Sequence, residues 1–240
     1  MRTLVYFDRL NGAARCAYWL VPILGLLFSG DAGAHGVDDS TRSFLTGVEG
    51  LQIGPFLYIG AKHMVTGYDH LLFLFGVVFL LDRMRDVLVY VTLFTIGHST
   101  TLLLGVLAGV EANAYVVDAI IGLSVVYKGF DNLDGFRSLL GFRPNPRSMV
   151  LGFGLIHGLG LATKLQDFDL PRDNLFGNLL AFNGGVELGQ LLALSLMLVV
   201  TGLWREQASF SRASWLTNTL LMTAGVVLII YQLAGFALET

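Results

Sequence analysis

Six apolar stretches between residues 55 and 236 limit this chain more than any other feature; they lie at about 55–81, 86–108, 113–132, 148–165, 177–203 and 214–236. Each is near the ~20 residues that a helix needs to cross the hydrocarbon of a bilayer. The sequence therefore predicts an all-α fold: a polytopic transmembrane bundle of about six spanning helices. Composition agrees, because 54% of the residues are hydrophobic and 14% charged, against about 25% charged in a soluble domain. The net charge of -3 and the lack of any Lys/Arg run leave nothing from which to build a phosphate-tracking surface, so nucleic acid is excluded as a partner.

The N-terminus reads as a separate unit. Arg2, Arg9 and Arg15 precede a short apolar run at 18–28, and Ala32-Gly33-Ala34 supplies small residues of the kind found at a signal-peptidase site. Residues 1–34 are expected to be a signal peptide, the alternative being an uncleaved anchor helix. An outer-side segment, 35–54, and the transmembrane domain, 55–240, follow. A cut after Ala34 would make His35 the new N-terminus, whose amino group and imidazole together could chelate a metal. The single cysteine, Cys16, lies in the removable part, so a metal site would draw on His, carboxylate, amide or methionine groups, and the five histidines are the residues to watch.

The joints between stretches sort by charge. Arg83 and Arg85, then Arg137, Arg143 and Arg147, then Arg205 and Arg212 occupy alternate joints. The excess of arginine predicts that these three face the cytoplasm and that both mature termini lie on the outer side. Lys164 and Arg172 fall in an outer joint and are offset by Asp167, Asp169 and Asp173.

An ionisable side chain at bilayer depth costs roughly 2.5–3.5 kcal/mol on insertion scales, so each one needs a partner or a wet cavity. His63 and His70 are seven positions apart and share a stripe of the first stretch. Asn183, Glu187 and Gln190 fall at i, i+4 and i+7 of the fifth, a second polar stripe. With the alternating orientation, His70, His98, His157 and Glu187 lie roughly eight to fifteen residues from the outer ends of their spans, and Asp118 and Asn183 somewhat nearer. Three imidazoles and a carboxylate at one level suit a divalent transition metal such as nickel, zinc, cobalt or copper. Ser99 stands beside His98; its plainest reading is a hydroxyl bonded back to its own helix. On the inner half, Lys128 is expected to snorkel toward water, and Asp131 and Asn132 are polar candidates for a path to the cytoplasm.

The segment His63-Met-Val-Thr-Gly67-Tyr-Asp69-His70 resembles the HxxxGxDH signature of the HupE/UreJ family of bacterial membrane proteins. Further segments are similar to the broader second branch of that family: Phe94-Thr-Ile-Gly-His98-Ser99, Gly154-Leu-Ile-His157-Gly158 and Phe182-Asn183-Gly-Gly-Val-Glu187-Leu-Gly189-Gln190. The resemblance covers about residues 55–235. It implies a secondary nickel permease of the bacterial inner membrane, associated with hydrogenase and urease maturation, with His63, Asp69 and His70 as functional positions. The partners it implies are the metal ion, the bilayer, and either a second copy or metalloenzyme-maturation proteins. Around His157 the chain departs from other members in lacking a histidine-rich context.

The leading expectation is a permease that binds its ion at His63, Asp69, His70, His98, His157 and Glu187, with Asn183, Gln190, Asp118 and Ser99 in support. No GxxxxGK[ST] motif is present, so ATP would not drive it. Two other readings use the same residues: an intramembrane zinc hydrolase with Glu187 or Asp69 as base, and a non-catalytic protein that senses or delivers metal.

Overall fold

The computed structural model describes residues 50–81, 83–166 and 174–239. The expected signal segment 1–34, His35 and residues 167–173 of the joint at 166–174 lie outside the described residues. Every regular element among the described residues is helical: α1 (Ile53–Thr66), α2 (Tyr68–Val78), α3 (Met84–Ala108), α4 (Ala114–Asn132), α5 (Gly135–Leu140), α6 (Pro146–Gln166), α7 (Leu175–Arg205) and α8 (Ser209–Glu239).

Four of these, α3, α6, α7 and α8, are long and apolar enough to cross a membrane. The other two apolar stretches form helices of a different kind. The stretch at 113–132 becomes α4, which carries Asp118, Lys128 and Asp131 along its 19 residues. The stretch at 55–81 does not make one helix: it breaks at Gly67 into α1 and the 11-residue α2. Gly67 takes φ -72 and ψ 97, outside the helical region, while its N–H still bonds His63 O at 2.9 Å.

The bundle is assembled from three closely packed pairs, α1 with α7, α3 with α6 and α4 with α8. Small residues set the separation within each pair, since packing between helices in lipid depends on close van der Waals approach. A Cβ on Gly185 would lie 1.9 Å from Leu57 O, one on Gly158 2.1 Å from His98 O, and one on Gly225 2.8 Å from Gly122 O. Polar links tie α2 to these pairs and brace the α4–α8 pair. Asn132 Nδ2 donates to Gly76 O at 2.8 Å and to Asn218 Oδ1 at 2.9 Å. Arg205 donates to Val78 O at 2.6 Å, to Phe79 O at 2.7 Å and to Leu81 O, so that one guanidinium gathers the carbonyls at and just beyond the end of α2.

Apolar side chains cover the outside of the bundle as well as filling its core, and the core also holds polar groups. Leu104, Leu192, Leu196 and Ile230 are exposed, whereas His98, His157, Gln190 and Asn218 are buried. An apolar exterior over a core that buries polar groups among apolar ones is the arrangement of a protein whose surroundings are lipid.

Candidate metal site

The break at Gly67 builds the centre of the site. In an unbroken helix His63 and His70 would be about 10 Å apart along the axis; here their ring centroids are 5.1 Å apart. Gly67 has to lack a side chain, because a Cβ there would lie 2.9 Å from His70 Nδ1, 3.1 Å from Asp69 Oδ1 and 3.1 Å from His63 O. The Asp69–His70 pair folds over this glycine on the first turn of α2. Discontinuous helices of this kind form the binding sites of many transporters, since irregular backbone at membrane depth persists only inside protein or beside a cavity.

The hydrogen bonds fix which imidazole nitrogens are available. His157 Nδ1 lies 2.7 Å from Phe153 O, and a carbonyl only accepts, so Nδ1 carries the proton and Nε2 the lone pair. His70 Nδ1 lies 2.9 Å from Asp69 Oδ1, which leaves its Nε2 in the same condition. Both follow the pattern of metal-ligating histidines, in which the second ring nitrogen is held by a carboxylate or a backbone carbonyl. His70 Nε2, His157 Nε2 and both ring nitrogens of His98 are buried with no hydrogen-bond partner among the described residues. Such atoms are costly unless something else satisfies them.

The rings meet on one centre. His70 is 5.0 Å from His157 and 6.3 Å from His98, centroid to centroid, in addition to its contact with His63. Two imidazoles sharing a tetrahedral ion, with nitrogens 2.0–2.1 Å from it, have centroids about 5 Å apart. The spacing of His70 with His63 and with His157 fits that value. The rings cross edge to face at 71–76°, and among the described residues no three His, Cys, Asp or Glu side chains are gathered closely enough to hold an ion as they stand. Phe94 lies 5.1 Å and Phe73 5.5 Å from the His157 ring, closing the cluster with aromatic faces.

The remaining expected residues divide. Asn183 and Gln190 are buried; Asn183 Oδ1 accepts from Ser99 Oγ at 3.2 Å, and Gln190 Oε1 from Thr95 Oγ1 at 3.0 Å. Ser99 thus bonds across to α7 rather than back along α3, a correction to its expected local bond. Glu187 does not join the histidines. It is exposed, because it falls at the edge of the buried sector of α7, next to the exposed Leu188 and Leu191. Asp118 is committed elsewhere, with Lys164 Nζ at 2.7 and 3.0 Å from its two oxygens. Lys128 does not snorkel; its side chain is 12% exposed and bonds Asp131 Oδ2 at 2.7 Å. Lys164 reads from the sequence only as a residue of an outer joint and Thr95 carries no signal there, because their partners are 46 and 95 positions away with no spacing to announce them.

Searches of curated proteins and of solved structures found no match. A family model described as "HupE / UreJ protein" matches residues 40–240, which takes in every histidine, acid and amide of the cluster. With the motif from His63 to His70 seated at a broken helix in the centre of the bundle, the chain belongs to the HupE / UreJ family.

Proposed function

We propose that this protein is a secondary permease for a divalent transition-metal ion, nickel first among them, which is bound transiently by the histidine cluster. The observation that carries this reading is the pair of buried Nε2 atoms on His70 and His157, each with its Nδ1 held by an oxygen and its ring 5.0 Å from the other. The family's link to nickel and cobalt transport or accessory function supports the choice of cargo. In this reading the chain crosses the inner membrane six times, α4 and the broken α1–α2 supplying the fifth and sixth crossings, with both mature termini outside.

His70 and His157 are the primary ligands, His63 and His98 the reserve that completes the shell as the rings rotate, and Asp69 orients His70. Imidazole is a suitable ligand for cargo because it binds as the neutral base and releases on protonation. The deciding experiment is uptake into sealed proteoliposomes holding a metal-sensitive dye, with nickel, cobalt, zinc and copper offered in turn. Wild-type protein gives a saturable signal for at least one ion, and His70→Ala and His157→Ala each lower it at least tenfold. No signal above protein-free vesicles for any of the four ions refutes transport. Full flux in both variants refutes the ligand assignment.

A further inference from the structure

A cavity of about 200 Å³ lies at the arginine-rich end of the bundle, one aromatic layer from the histidines. Phe73 and Phe153 line it, and their rings are 5.7 Å apart. The same Phe73 ring is 5.5 Å from His157 and 5.6 Å from Phe94. A partition one side chain thick therefore separates the two compartments.

Beyond the partition the walls are mixed: Tyr90, Tyr127, Lys128, Asp131, Asn132 and Arg143 face the cavity together with Leu80, Leu81, Met149 and Val150. Tyr127 Oη and Asn132 Oδ1 are buried there without a hydrogen-bond partner among the described residues. In a space of this size, with these polar groups converging on it, water is the group that satisfies them. The acid at the centre, Asp131, is 3% exposed and holds two cations. Lys128 reaches it from the same helix, while Arg143 comes in from the connector between α5 and α6 with Nε at 2.6 Å and Nη2 at 2.9 Å. The Arg143 side chain is 47% exposed, so of the three groups it is the one that can swing into water.

We infer that this cavity is an inner chamber for a hydrated divalent cation, sealed from the histidine cluster by Phe73 and latched at the arginine-rich end by Arg143 on Asp131. The inference rests on the permease reading and supplies its second compartment. With the latch closed the chamber carries Arg143, Lys128 and Asp131 and is net positive, which opposes a cation. With Arg143 withdrawn it is neutral, and Asp131 has an open side. A hydrophobic constriction beside a wet compartment gates by excluding water until its ring moves.

The test is thiol accessibility, which needs no metal. Val77, in the chamber wall, is replaced by Cys on a Cys16→Ser background, and a small cationic, membrane-impermeant methanethiosulfonate is applied to one face of reconstituted vesicles at a time. The expected result is slow labelling from the arginine-rich face only, at least tenfold faster with Arg143→Gln. Labelling from the opposite face should occur only when Phe73→Ala is added. Phe73→Leu repeats that arm with a smaller loss of packing, and retained helicity certifies both. Labelling indifferent to Arg143→Gln, or occurring from the opposite face with Phe73 intact, overturns the chamber. Metal flux in the same vesicles separates the two readings. Flux without latch-dependent labelling overturns the chamber and leaves the permease, whereas latch-dependent labelling with no flux of any of the four metals overturns the permease and removes the cation as occupant.

Discussion

Gly158 holds His98 and His157 at their present separation, and Gly158→Ala tests this directly. The added Cβ would lie 2.1 Å from His98 O and 2.3 Å from Thr101 Oγ1, where ordinary contact begins at 3.4 Å. The carbonyl cannot rotate away, because it belongs to the backbone of α3 at the residue that carries the imidazole. The two helices must therefore part by roughly 1 Å, and overpacking of this sort costs about 1–3 kcal/mol. The same shift is about half of a metal–nitrogen bond length of 2.0–2.1 Å, enough to take His98 out of reach of an ion held on His157. Gly152→Ala, on the same helix with nothing within 4 Å of its Cβ, is the matched control. Thermal unfolding in detergent, with and without nickel, reads both effects. Gly158→Ala should unfold at lower temperature than Gly152→Ala and lose most of the nickel-induced upward shift. Equal unfolding temperatures with equal nickel shifts would show that this helix contact does not position the site.

Asp118→Asn leaves Lys164 as a largely buried charge without its carboxylate, since the two side chains are 7% and 19% exposed. Breaking a buried pair from one side costs about 3–5 kcal/mol, so the variant should unfold well below wild type, and Asp118→Asn with Lys164→Met should recover most of the loss. Glu187→Gln should leave nickel flux within twofold of wild type, because the exposed carboxylate stands apart from the histidines; a tenfold loss would place it in the site after all.

The helical stretches and the common depth of the histidines could be read from the sequence, because both follow from apolar length and a fixed rise per residue. The distances could not. His63 and His70 look two turns apart until the backbone leaves the helix at Gly67, and nothing in the spacing says whether a glycine there closes a packing contact or breaks the chain direction. Asn183, Glu187 and Gln190 look equivalent by period, yet Glu187 turns out of the bundle because a stripe has edges and only the neighbouring helices decide where the buried sector stops. Lys164 and Arg143 read as joint residues, since charge near a span end predicts solvation. Their acids lie 46 and 12 positions away on α4, and such pairings arise only once the helices are assembled.

Those pairings bear on why the cluster suits cargo rather than a resident ion. The buried acids among the described residues are Asp69, Asp118 and Asp131. Asp118 is held by Lys164 on one side of the histidine layer, Asp131 by Lys128 and Arg143 on the other, and Asp69 holds His70 Nδ1. The nitrogens left to meet an ion are therefore neutral. A ligand set of two or three carboxylates in low dielectric would bind a divalent cation through attractions that grow steeply as water is excluded. Neutral imidazoles bind through the lone pair alone, so the ion leaves when a proton or a second ligand set competes for the same bond. Spending the carboxylates on lysine and arginine therefore keeps the site weak enough to empty. It follows that freeing Asp118 by Lys164→Met should raise nickel retention and slow its release, an outcome read by washing loaded vesicles and following efflux; unchanged efflux with intact binding would show that the paired charges have no part in release.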